Sequence, residues 1–409
     1  MRAVLERNLR PTWAEVDLDA LAANVRELVR VAGGSQVMAV VKADGYGHGA
    51  VAVSRTAVEA GARWLAVACL EEGLHLRRHG LTAPTLVLGY VPPEEARAAV
   101  EADIACCVFG DETARALAQA GSRAGRRARV HVKVDTGMGR LGVRPEEAVG
   151  FVRWLKGIPT LEVEGIFTHL ATADEEDLSF ARTQLDAFSA VLAALEREQL
   201  HVPYRHAANS AALLRLAPAR FNLVRPGLAM YGVYPAAGLE KVASLRPVLT
   251  WKTRVAQVKV MRSGETVGYG RTWQARGGEV VATLPVGYAD GYRRVLSGRG
   301  EVLVRGRRAR VVGRVSMDQV TVALPAGFEA TTGEEVVLLG WQGEESISAW
   351  DLARAAETIP YEVLVGIGWR VPRVYLRDGA VAHVEAGRRT VAQREAGTDD
   401  FAGRGEGNG

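Results

Sequence analysis

Cysteine is nearly missing from this chain: three residues in 409, Cys69, Cys106 and Cys107. All three fall in apolar runs and none sits in a Cys-x-x-Cys spacing. That excludes a disulfide framework and fits structural thiols in a reducing cytoplasm, the expected location. Lysine is as scarce in its own class, with six lysines against 45 arginines. Charge of one sign is not concentrated anywhere. The formal net charge is +4 and the arginines are scattered, so no nucleic-acid footprint is expected. No apolar run is long enough to span a bilayer, so no membrane partner is expected. Residues 1–12 are charged and lack the apolar stretch of a signal peptide. No spacing of histidine, cysteine and carboxylates suits a metal, and none is expected.

What is present is a large apolar fraction, 48%, spread over more residues than one core usually fills. Two domains are the default for such a chain. From about residue 36 short apolar runs alternate with amphipathic segments. Candidate strands lie at 37–42, 64–69, 85–88, 104–109, 129–135, 161–169, 204–208 and 223–228, with helical patterns between them, the longest over 180–200. Eight strand–helix units in about 200 residues predict an α/β fold, a (β/α)8 TIM-like barrel over 13–238. Past Gly238 the helical patterns fade. Short β-rich runs punctuated by glycine predict a mostly β C-terminal domain over 239–386, with one short helix near 348–357. Residues 1–12 read as a lead-in, and Thr12–Asp17 is a candidate to pair into the C-terminal sheet. Residues 387–409 are rich in Gly, Arg, Glu and Asp, and a disordered tail is expected there.

One stretch stands out against the scarcity of lysine. Ala39-Val40-Val41-Lys42-Ala43-Asp44-Gly45-Tyr46-Gly47-His48-Gly49 reads as a buried parallel strand ending in a lysine, followed by a glycine-rich loop around a tyrosine. Desolvation penalises a buried ammonium, so a lysine at a strand mouth is a candidate for a Schiff base to a carbonyl cofactor. The competing reading is a lysine that snorkels beside a flexible loop. Chemistry in such barrels sits at the C-terminal strand ends. Those ends carry Lys42 and Tyr46 (strand 1), Lys133, Asp135 and Arg140 (strand 5), His169 (strand 6), Asn209 and Ser210 (strand 7), and Arg225, Gly227 and Leu228 (strand 8). The strand 7 and 8 loops commonly hold phosphate, and Gly227 lets backbone N–H groups approach closely. An imine-forming lysine with a phosphate site points to pyridoxal phosphate.

The motifs resemble those of the alanine racemase family over about residues 10–380. VVKADGYGHG is similar to the family's cofactor-lysine motif, which implies that Lys42 carries pyridoxal 5′-phosphate and that Tyr46 bonds the phosphate. HVKVDTGMGRLGV implies Arg140 near the cofactor phenolic oxygen and substrate carboxylate. FTHLATAD implies His169 under the ring, AANSAA implies Ser210, and VRPGLAMYG implies Arg225 with the amides of Gly227 and Leu228. In the C-terminal part, VGYGRTW resembles the motif of a second catalytic base, Tyr269. LPVGYADGY implies Tyr288, VSMDQ implies Met317 and Asp318, and IPYEV implies Tyr361 at the cofactor.

The implied activity is two-base racemisation of alanine, with Lys42 acting on the D-enantiomer and Tyr269 on the L-enantiomer, supplying D-alanine for peptidoglycan. A broader serine/alanine racemase is the alternative. The family also implies a head-to-tail homodimer in which Tyr269, Tyr288 and Met317 reach the partner's cofactor. It implies a carbamylated Lys133 holding Arg140; the other reading pairs Lys133 with Asp135. Guanidinium only donates. If Arg225 faces the pyridine nitrogen, that nitrogen stays unprotonated; otherwise Arg225 binds phosphate or a carboxylate. A tyrosine acting as base needs positive charge nearby, and His169 bridging to Arg225 is the implied source. Two positions depart from the family pattern. Ser316 stands where many members carry cysteine, and Pro360 stands where asparagine is frequent. His48, His75, His79, His131, His201 and His206 read as structural or surface residues.

Overall fold

The computed structural model describes residues 10–328 and 330–385, and the predicted tail lies outside them. The chain divides into two compact units, and the division is not a single cut in the sequence. A barrel unit holds Asp17–Leu249 together with the later segment Ile359–Val365; a sheet unit holds the described residues up to Val16, those of Thr250–Thr358 and those from Gly366 on.

The strands in chain order are β1 (Thr12–Asp17), β2 (Gln36–Val40), β3 (Trp64–Val67), β4 (Thr85–Val87), β5 (Ala105–Val108), β6 (Ala128–Lys133), β7 (Leu161–Phe167), β8 (Tyr204–His206) and β9 (Leu223–Val224). Those of the second half are β10 (Leu249–Arg254), β11 (Gln257–Val260), β12 (Thr266–Val267), β13 (Trp273–Gln274), β14 (Val280–Leu284), β15 (Glu301–Val304), β16 (Arg307–Val312), β17 (Val320–Ala323), β18 (Glu335–Gln342), β19 (Glu345–Ile347), β20 (Arg373–Arg377) and β21 (Ala380–Glu385).

In the barrel unit, β2 to β9 form one parallel sheet in the order β8-β7-β6-β5-β4-β3-β2-β9. Just past the strand ends, the Arg225 N–H donates to the Ala208 carbonyl at 2.9 Å, which brings the β9 and β8 edges together. The expected barrel is there, with all eight strands inside the predicted windows or within a residue of them. Both faces of a parallel sheet are covered, so these strands read as continuous apolar runs rather than alternating ones. Every residue of β3, β4 and β5 is buried. The helices show ordinary end chemistry. Asp17 caps Leu18–Ala32 by accepting from the Ala20 N–H at 2.8 Å, and Gly33 closes that helix at φ 63°.

In the sheet unit, the main sheet runs β11-β14-β17-β16-β15-β18-β10-β1-β20-β21, with β19 beside β18, and β12 pairs β13 alone. The mostly β second domain expected from sequence is what the fold contains. Its hairpins use the turn chemistry that right-twisted strands need. Asp378 and Gly379, both at positive φ, connect β20 to β21, and Arg305 and Gly306 do the same between β15 and β16. Among the described residues, no helix is long and apolar enough to cross a membrane.

Candidate active site

A cavity of about 510 Å³ lies at the C-terminal ends of the barrel strands and is lined entirely by barrel-unit residues. Eleven of the residues singled out from sequence line it: Lys42, Tyr46, Lys133, Arg140, His169, Asn209, Ser210, Arg225, Gly227, Leu228 and Tyr361. Tyr361 arrives from the late helix Pro360–Val365, whose sequence neighbours on both sides belong to the sheet unit.

Lys42 does not open a loose glycine loop. After β2 the chain winds left-handed, with φ of 50° at Ala43, 55° at Asp44, 61° at Gly45 and 54° at Tyr46. Each non-glycine residue held this way costs about 1–2 kcal/mol. Local bonds offset that cost. The Asp44 carboxylate accepts from the Ala50 N–H at 2.7 Å, and Glu72 accepts from the Ala43 N–H at 2.7 Å and the Ala68 N–H at 2.7 Å. Gly47 is obligatory here, because a Cβ would stand 2.4 Å from the Leu364 carbonyl oxygen. Glu72 was invisible to sequence reasoning, since it sits on the separate helix Leu70–Arg78 and belongs to no motif. Burial, then the positive charge of Arg140, lowers the Lys42 pKa. A larger fraction of neutral amine is therefore available to attack a carbonyl or take a proton.

Next to Lys42, Tyr46 is buried with its ring 4.8 Å from that of Tyr231 and 6.0 Å from that of Tyr361. A Cβ at Gly227 would lie 2.4 Å from the Tyr46 hydroxyl oxygen, so the backbone and phenol meet only because residue 227 has no side chain. Ser210 Oγ accepts from the N–H groups of Gly227 at 2.9 Å and Ala229 at 3.2 Å, tying the loops after β8 and β9 together. Hydroxyls and amide N–H groups converging on a glycine suit an anion such as phosphate.

Arg225 is almost wholly buried. Its Nη2 donates to the carbonyls of Thr168 at 2.8 Å and Ala207 at 3.0 Å and reaches His169 Nδ1 at 3.3 Å; its Nη1 donates to His206 Nδ1 at 2.9 Å. Burial and the adjacent Arg225 charge hold His169 well below its ordinary pKa, so it stays neutral. Lys133 sits 4.5 Å over the Phe167 ring, and burial followed by Arg225 pushes its pKa down to about 8. Asp135 is engaged elsewhere, accepting from the N–H groups of Gly137 and Gly139 at 3.0 Å each.

Tyr269, Tyr288, Met317 and Asp318 lie in the sheet unit, apart from that cavity's lining. Tyr269 opens a tight turn after β12, with Gly268 and Gly270 at φ 69° and 73°, and its side chain is 73% exposed. Tyr288 is 42% and Met317 52% exposed. Their two loops are stitched together, the Tyr288 N–H donating to the Ser316 carbonyl at 3.1 Å and the Ala289 N–H to the Met317 carbonyl at 3.0 Å. The fully buried Asp290 carboxylate anchors them, gripped by Arg10 and Arg370, and Arg370 also holds Asp318 at 2.8 Å. Ser316 closes its own turn by donating to the Gln319 carbonyl at 2.8 Å, so serine serves that position structurally.

Comparison with known proteins agrees in sequence and in shape. The family model "Alanine racemase, N-terminal domain" matches residues 16–235, and "Alanine racemase, C-terminal domain" matches 248–375. An alanine racemase of Symbiobacterium thermophilum is 52% identical over 90% of this chain and 97% of its own length. One from Halothermothrix orenii is 45% identical over 90% and 98%. Among solved structures, the Bacillus anthracis alanine racemase with bound L-Ala-P superposes with a TM-score of 0.87 at 42% identity, covering 93% of this chain and 98% of that one.

Proposed function

The chain belongs to the alanine racemase family and interconverts L-alanine and D-alanine; we propose that it does so with pyridoxal 5′-phosphate seated in the barrel-mouth cavity and with Lys42 and Tyr269 as the two bases. One observation carries this reading. A half-buried lysine with a lowered pKa, a buried donor-only arginine and a glycine–serine–tyrosine anion cradle all line the same cavity. When bound, pyridoxal phosphate draws electrons from the amino acid joined to it and so acidifies the Cα–H bond.

The protein's own groups do the rest. Tyr46, Ser210 and the backbone of Gly227 and Leu228 hold the phosphate. Arg225 would donate toward the ring nitrogen and, having donors but no acceptor, would keep that nitrogen unprotonated. This limits electron withdrawal and favours return of the proton over side reactions. Lys42 takes or returns the Cα proton on the face of D-alanine, and Tyr269 works on the face of L-alanine. Arg140, with the Met317 backbone N–H, receives the substrate carboxylate, Tyr288 borders the substrate and Tyr361 the cofactor. The exposure of Tyr269, Tyr288 and Met317 supports a head-to-tail homodimer in which they serve the partner's cavity. Lys133, with its pKa near 8, offers enough neutral amine to combine with carbon dioxide, releasing a proton and leaving a carbamate that holds Arg140. The enzyme would work in the cytoplasm and supply D-alanine for peptidoglycan.

Borohydride reduction of the coloured holoenzyme followed by peptide mapping tests the cofactor assignment. Label on Lys42 is expected, and label on any other lysine would overturn it. Mass analysis of the intact chain under carbon dioxide checks Lys133.

A further inference from the structure

Barrel interiors are usually filled by Val, Ile and Leu. Here a row of polar groups runs through the core away from the cavity. Arg225 Nη1 lies 2.9 Å from His206 Nδ1, His206 Nε2 lies 2.9 Å from His131 Nδ1, and His131 Nε2 lies 3.6 Å from Glu164 Oε2. Both histidines are fully buried. His131 Nε2 and Glu164 Oε2 are both buried and face each other at ion-pair rather than hydrogen-bond distance, neither having a hydrogen-bond partner among the described residues, while the other carboxylate oxygen, Oε1, lies 3.7 Å from Arg129 Nη1.

The proton positions in this row are forced. Arginine can only donate, so His206 Nδ1 must accept, and a neutral His206 then carries its proton on Nε2. That proton points at His131 Nδ1, which must accept in turn. The His131 proton is therefore on Nε2, facing the carboxylate.

The backbone is shaped to allow the row. Between the pairs Val130↔Val163 and His131↔Gly165, the β6–β7 register skips Glu164, which is the unpaired bulge residue. Bulges re-aim a side chain. Gly165, directly opposite His131, leaves room for its ring, since a Cβ there would stand 2.1 Å from His131 Nδ1. Phe167 stacks on His206 at 4.7 Å, and Trp64 meets His131 edge-on at 5.4 Å. Filling this space with apolar side chains would avoid the desolvation of three polar groups.

We propose that Glu164, through His131 and His206, is the remote counter-charge of Arg225, and that these three positioning residues lock Arg225 as a donor to the cavity. Its Nε has no partner among the described residues and is the donor left for a ring nitrogen. This rests on the reading that Arg225 meets the cofactor ring.

The test is NMR of the holoenzyme with 15N-labelled histidine at neutral pH. His206 and His131 are both expected neutral and protonated on Nε2, and a proton on Nδ1 of either would overturn the proposal. Glu164→Gln, which keeps an acceptor oxygen, should preserve that pattern. Glu164→Leu should give mixed tautomers and weaken cofactor retention roughly tenfold, the loss of about one hydrogen bond. It should also raise the fraction of cofactor converted to its amine form per turnover. Gly165→Ala should resemble Glu164→Leu. Wild-type tautomers and cofactor retention in Glu164→Leu would reject the relay. A colourless wild-type protein would instead remove the cofactor reading and leave the histidine pattern to be judged by itself.

Discussion

The barrel mouth and the exposed edge of the sheet unit carry the two proposed halves of the chemistry and are built in opposite ways. At the mouth, Lys42, Lys133 and His169 are desolvated, crowded by like charge and lowered in pKa, and burial lowers that of Arg225. At the edge, Tyr269 is 73% exposed, and backbone glycines and a buried Asp290 ion pair fix its region. A group can be tuned by its own fold only where that fold buries it. Tyr269 is held out to solvent by its turn rather than packed, which suits the proposed role in a partner's cavity.

Five measurements break or sharpen this contrast. Lys42→Ala should lower racemisation by about ten-thousandfold and abolish the visible cofactor band, because both the covalent anchor and one base are lost. Near-normal turnover would break the assignment. Tyr269→Phe should cost about a thousandfold in kcat/KM in both directions, the middle of the range for one general base. In deuterated water its Cα exchange should fall far more from L-alanine than from D-alanine, and equal loss from both would reject the division of faces. Asp290→Asn strips the charge that Arg10 and Arg370 share and should destabilise the sheet unit by about 3 kcal/mol, read from denaturant unfolding. Gly47→Ala places a methyl against the Leu364 carbonyl at a positive φ and should cost about 2 kcal/mol. The Lys42 cofactor band should report the local distortion.

The smallest effect is a pH slope. Lys133 titrates near 8 when folded against 10.5 as the ordinary value. Between those limits unfolding takes up a proton, so stability rises with pH across the window, by about 1.4 kcal/mol per unit at most. The burial penalty is felt in full below pH 8. Lys42, shifted the same way, adds to the rise. Lys133→Met in carbon-dioxide-free buffer should flatten it.

Much of the fold was legible because parallel strands buried on both faces leave unbroken apolar runs, and the runs at 64–69 and 104–109 need no other reading. The polar strand ends were legible for the same reason: a lone lysine or arginine is conspicuous after an apolar run. Glu72 was not, because its role is to accept from the Ala43 amide across the fold. The left-handed path through Ala43 and Asp44 was not either, since neither residue type announces it.

Local order along the chain determined which residues end each barrel strand and that lysine is spent sparingly; the need for glycine at 47, 165 and 227 came from distant neighbours. Only tertiary structure decided that Ile359–Val365 crosses back to bring Tyr361 to the cavity, and that His131 and His206 line up behind Arg225. The first kind of information is carried by hydrophobic period and turn chemistry, which act between near neighbours. The second depends on contacts between residues about twenty to three hundred positions apart, whose energies no local pattern encodes.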